Sequence, residues 1–153
     1  MLQLNKRTEY GLIALTHLAT RAGEVVSVRE LCEAYPLPKR LLAEVLKDLC
    51  REGLVESTRG ASGGYALARP AEEISVGTVV ATLEGHPSLT SCESLGAYGA
   101  GSCDLESNCP IKSPIHHLRA SLWSMLEATS LADLARSKTT SPKHALTSPT
   151  NLS

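Results

Sequence analysis

The sequence predicts a mainly α-helical fold with one small β-hairpin: a winged helix-turn-helix domain followed by a long C-terminal helix. Three observations predict it. Ser27-Val28-Arg29-Glu30 is a capping box that opens a short helix, which Pro36-Leu37-Pro38 stops before a second helix begins. Two short β-type runs follow directly, separated by Gly60-Ala61-Ser62-Gly63-Gly64. An amphipathic stretch then resumes at Pro114 and lasts about four turns.

Each element has a local reason. Asn5 is a good N-cap for a helix over 5–20, in which Tyr10, Leu12, Ile13, Leu15, Leu18 and Ala19 form a wide apolar face. Gly23 ends that segment. The capping-box helix spans Val28 to Ala34. Pro38 suits the first turn of the next helix, which reaches about Glu52 with Leu42, Val45, Leu46 and Leu49 facing inward. Gly53 suits the position just past its end. Leu54 to Thr58 and Tyr65 to Ala68 read as strands. Ser75 caps a helix from Val76 to Leu83 that Gly85 closes. Residues 86–109 carry no periodicity, three glycines and three cysteines, the pattern of a functional loop. Ile115, Leu118, Leu122, Met125, Leu126 and Thr129 then keep helical spacing. An amphipathic helix after a complete domain needs a surface to cover it, and a second copy of the chain is the economical one. Leu131-Ala132-Asp133-Leu134 adds a short helical turn. The last 17 residues, 137–153, hold 10 Ser, Thr or Pro and predict a disordered tail. The chain thus divides into a winged domain (1–85), a cysteine-rich loop (86–112), a dimerisation helix with a short terminal helix (113–135) and a tail (136–153).

Composition narrows the function. The 153 residues carry 15 Lys+Arg and 16 Asp+Glu, a net charge of -1, which excludes a globally basic nucleic-acid binder but not a local basic face. Residues 1–70 hold 10 basic and 8 acidic side chains, and 71–153 hold 5 and 8, which puts any anion-facing surface in the first half. No apolar run approaches the ~20 residues that span a bilayer, and the first seven residues lack the apolar core of a signal peptide. A cytoplasmic protein without a membrane partner is expected. Five cysteines in such a chain point to metal or thiol chemistry rather than a disulfide framework.

The runs Gly53-Leu54-Val55, Arg59-Gly60-Ala61-Ser62-Gly63-Gly64-Tyr65-Ala66-Leu67 and Ile74-Ser75-Val76-Gly77 resemble the IscR/NsrR/RirA-type, or Rrf-type, winged-helix iron–sulfur regulators. Thr8-Glu9-Tyr10-Gly11-Leu12 is similar to the family's first helix. The resemblance covers about residues 2–135. It implies a homodimeric bacterial transcription factor on palindromic double-stranded DNA, without a small-molecule substrate. It also implies an iron–sulfur cluster, two-iron or four-iron, held in the loop where Cys92, Cys103 and Cys109 stand.

Thiolates are the soft ligands such clusters prefer, and three of them on a Gly-rich loop can wrap one cluster. The spacing is C-x10-C-x5-C, with a first gap longer than the family's. One family pattern places a His three residues after the last Cys, where this chain has Lys112. Another uses a carboxylate on the partner subunit's first helix, which Glu9 matches. His116 and His117 are further candidates. Cys32 and Cys50, in the helix-turn-helix, read as small buried apolar residues.

For DNA, Lys39 and Arg40 begin the helix that would enter the major groove, with Arg40 suited to guanine and Lys39 to phosphate. Lys47 lies further along it. Arg59, at the hairpin tip beside Gly60, is suited to a minor groove, and Ser57 and Thr58 to phosphate. Arg7 and Tyr10 are weaker candidates. Ala43 stands where some family members carry a Glu that discriminates between operators. Two alternatives remain beside the cluster regulator. One is a cluster-free DNA-binding sensor using thiols or zinc. The other is an enzyme with a reactive Cys109 ahead of a helix, for which the chain has no Cys-x-x-Cys, GxSxG or P-loop.

Overall fold

The computed structural model describes residues 3–86, 89 and 108–137. Of the tail expected over 136–153, residues 136 and 137 are helical instead, the end of a helix over Leu131–Ser137; the rest of it and most of the cysteine loop, including Cys92 and Cys103, lie outside the described residues. Among those residues no helix is long and apolar enough to cross a membrane.

Helix α1 spans Lys6–Thr20, and the Asn5 side chain accepts from the Thr8 backbone N–H at 2.9 Å. Helix α2 spans Val28–Ala34 with both halves of the capping box formed. Helix α3 spans Lys39–Arg51. Pro38 is its N-cap rather than a first-turn residue, and Gly53 takes φ 70° just past its end. Leu42, Val45, Leu46 and Leu49 of α3 are fully buried against Ala14, Leu15 and Leu18 of α1 and Leu31 of α2. Gly11 permits this closeness. A Cβ there would stand 2.6 Å from Leu83 Cδ1 and 3.3 Å from Val45 Cγ1.

Strands β1 (Val55–Thr58) and β2 (Gly64–Leu67) pair antiparallel, with Val55 opposite Leu67 and Thr58 opposite Gly64. Val26, just before α2, adds a third rung through reciprocal backbone bonds with Tyr65 of 2.9 and 2.8 Å. This rung ties the wing to the helix-turn-helix. A 3-10 turn (Ala71–Glu73) leads to helix α4 (Val76–Glu84), capped by Ser75 through the Thr78 N–H at 3.0 Å.

Helix α5 spans Lys112–Ala128. It starts two residues before Pro114, which is tolerated because first-turn N–H groups have no partner within the helix. It packs along α4, where a Cβ on Gly77 would lie 2.9 Å from Glu127 Cγ. Near the end of α4 the rings of His86 and Trp123 meet edge to face, 4.4 Å apart. None of the α5 residues is fully buried. Ile111, Leu118 and Met125, at seven-residue spacing, are 54%, 61% and 67% exposed.

Helix α6 spans Leu131–Ser137 and returns to the winged domain. Val76 N–H donates to Thr129 O (2.8 Å) and Leu131 N–H to Ile74 O (2.9 Å), a short antiparallel clamp. Ser130 and Asp133 cap the helix reciprocally, and Leu131 is completely buried in the core. Its apolar side chains Leu131 and Leu134 pack with the core of the winged domain.

Candidate nucleic-acid interface

The buried stripe of α3 fixes which of its residues face outward. With Leu42, Val45, Leu46 and Leu49 turned in, Lys39, Arg40, Glu44, Lys47 and Arg51 are exposed. The 3.6-residue repeat requires this division. Arg40 is 94% exposed and lies 3.4 Å from Glu44. Lys39 and Lys47 are exposed and form no ion pair with another described residue.

The wing projects Ser57, Thr58, Arg59 and Gly60, all exposed. Gly60 has φ 114°, a backbone shape that favours glycine, and its carbonyl accepts from Gly63 N–H at 3.0 Å to close the turn. Behind the tip, Tyr65 lies against Val26, and burial raises its phenol above the usual range. The wing tip is therefore polar and cationic while its base is packed.

One of the sequence candidates, Arg7, is engaged within the chain. Arg7 contacts Asp48 and lies 4.0 Å from Glu44, both on α3. Tyr10 is half-buried on α1. Glu9 pairs with Lys6 at 2.5 Å, and that bond raises the lysine above its usual range. Its side chain remains about one-third exposed (32%) and reachable from outside.

Of the proposed cluster thiols, only Cys109 is described. It is a free, half-buried cysteine just ahead of α5. Among the described residues no three His, Cys, Asp or Glu side chains converge on a metal position. His116 and His117 are exposed on α5, with His117 Nδ1 2.9 Å from the Ser113 carbonyl. Cys32 and Cys50 are half-buried free thiols packed against the core. His17 Nδ1 lies 3.2 Å from the Tyr35 hydroxyl.

The family model for Rrf2, described as an iron-dependent transcriptional regulator, matches residues 4–137. The chain belongs to the Rrf2 family. An HTH-type transcriptional regulator of Mycobacterium tuberculosis is 37% identical over 138 residues, covering 88% of this chain and 81% of the relative. The solved structure of CymR, the global cysteine regulator of B. subtilis, superposes with a TM-score of 0.71. It is 26% identical over 90% of this chain and 98% of that one. T. potens IscR superposes with a TM-score of 0.68 at 28% identity, over 90% and 88%.

Rrf2 membership makes the protein a transcriptional regulator and not an enzyme. The Rrf2 fold was legible from its caps, prolines and glycines. The acidic pair on the same face of α3 was not singled out from the sequence. Its signal was there, as Glu44 and Asp48 at i, i+4 between Arg40 and Arg51.

Proposed function

We propose that this Rrf2 protein is a cytoplasmic homodimer that binds palindromic operator DNA, with affinity set by an iron–sulfur cluster on Cys92, Cys103 and Cys109. Glu9 of the partner subunit is the candidate fourth ligand. The observation that carries the DNA reading is the outward set of Lys39, Arg40, Lys47 and Arg59 on two adjoining elements of one winged helix.

Each residue has a defined task. Arg40 donates to guanine O6 and N7, and Lys39 and Lys47 neutralise phosphate. Arg59 enters the minor groove, where a narrow groove concentrates negative potential. Ser57 and Thr58 hydroxyls and the Gly60 N–H donate to phosphate oxygens. The exposed stripe of Ile111, the N-cap of α5, with Leu118 and Met125 on the helix, meets the same stripe of a second copy. Two reading helices related by a two-fold axis then span half-sites about 34 Å apart.

The donor set fits an iron–sulfur cluster: three thiols, one of them half-buried at the foot of α5 and free of any disulfide, with a reachable carboxylate on α1. When bound, the cluster supplies a redox-active centre open to oxidants and nitric oxide. The chain's own part is to hold Cys109 where the loop enters α5, so that a change at the loop reaches the helix covering α4.

Protein purified without oxygen is expected to be brown, with iron and sulfide in stoichiometric amounts. Cys92→Ala, Cys103→Ala and Cys109→Ala should each bleach it. Colour retained in all three variants overturns the ligand set. Selection from a random pool of 30-base-pair duplexes should yield a palindrome, and Arg40→Ala and Arg59→Ala should each weaken binding by about 1–3 kcal/mol. A colourless protein, iron-free after anaerobic reconstitution, transfers the triad to a second reading. That reading is a cluster-free DNA-binding sensor using thiols or zinc, favoured by the likeness to the CymR cysteine regulator.

A further inference from the structure

We propose that Arg7 is a positioning residue for the DNA-reading helix rather than a phosphate contact. The inference rests on the DNA-binding reading above and goes beyond it. Five side chains form one alternating row. Arg40 lies 3.4 Å from Glu44, Arg7 reaches Glu44 at 4.0 Å and contacts Asp48, and Asp48 lies 3.0 Å from Arg51. Four members stand on α3, and α1 supplies only the central one. The centre is the sheltered part: Arg7 and Asp48 are 37% and 30% exposed, against 94% for Arg40 and 72% for Arg51.

This placement solves an electrostatic problem. Glu44, on the outward side of α3, and Asp48, on its flank toward α1, both repel the phosphates that this face must approach. Arg40 can serve a base only by loosening its hold on Glu44, which would leave that carboxylate bare beside DNA. The planar guanidinium of Arg7, with five donors, can serve both carboxylates at once, which a single ammonium cannot do as well. Arg7 thereby releases Arg40 and Arg51 toward DNA. It also ties the middle of α3 to α1, the helix that carries Glu9.

The test uses the full chain and the duplex that wild-type protein selects from a random 30-base-pair pool. Affinity is measured across a salt series, and folding is checked by thermal melts. Arg7→Ala is expected to weaken binding about tenfold with an unchanged slope of log affinity against log salt. Adding Asp48→Asn should recover most of the loss, because the unneutralised carboxylate is then gone. A slope shallower by about 0.9 per protomer, with no recovery, makes Arg7 a phosphate contact and overturns the proposal. So does unchanged affinity. If Arg7→Ala does not fold, Arg7→Lys decides: weaker binding at the same slope supports the proposal, and wild-type affinity overturns it. A wild type that selects no duplex removes the DNA reading and this one with it. A wild type that binds, with variants behaving as phosphate contacts, removes only this one.

Discussion

Gly64 shows how one missing side chain sets the position of the wing. A Cβ there would lie 2.3 Å from the Val26 carbonyl oxygen and 2.6 Å from its carbon, against backbone that is itself hydrogen-bonded to Tyr65. Neither side can yield cheaply, so Gly64→Ala should destabilise the domain by about 2 kcal/mol or more in urea denaturation. A loss under about 0.5 kcal/mol contradicts this packing. The sequence marked 60–64 only as a flexible turn; the demand at Gly64 is one of space and comes from a residue 38 positions earlier. Caps were legible because they are local: Asn5, Ser27 and Ser75 each accept from a backbone N–H three residues on. Arg7 and Asp48 were not, being 41 residues apart in sequence. Asp133 adds a pH dependence. Ser130 N–H and hydroxyl and Arg136 hold its carboxyl down to about 2, from an ordinary 3.8. A depressed folded value means its contribution is complete above about 3.8 and disappears as pH falls through about 2. Asp133→Asn should therefore melt below wild type at neutral pH, with the gap closing near pH 2. A gap independent of pH contradicts it.

At the scale of elements, α3 and α6 contrast. The four inward side chains of α3 declare their helix by spacing alone, and the structure buries every one. Helix α6 is seven residues long, too short for such a signal. What holds it is tertiary: Leu131 sealed in the core and two backbone bonds joining 129–131 to 74–76. Leu131→Ala should cost about 2–5 kcal/mol and expose the backbone of residues 131–137 to hydrogen exchange. Retained protection of those amides shows that the clamp alone suffices. Helix α5 was predicted from its rhythm, and its start moved to Lys112 because proline is harmless in a first turn.

At the scale of the whole molecule, the apolar side chains divide between two destinations. Those of α1–α4 and α6 meet in one interior, whereas α5 turns Leu118 and Met125 outward. On the dimer reading, Leu118→Glu with Met125→Glu should convert the protein to a monomer by analytical ultracentrifugation and weaken operator binding, while leaving the winged domain folded. A double variant that still sediments as a dimer places the interface elsewhere. The sequence conveyed the need for a cover on α5 through its amphipathic rhythm. It could not convey which flank of α5 lies against α4, since that depends on Gly77 admitting Glu127 at close range.

One consequence follows from the edge-to-face contact of His86 with Trp123. Trp123 is the only tryptophan in the chain, and its ring lies where α4 ends and the cysteine loop begins. Selective excitation of that indole therefore reads a single place in the molecule. Its emission is a built-in optical gauge of the α4–α5 contact, without any added label.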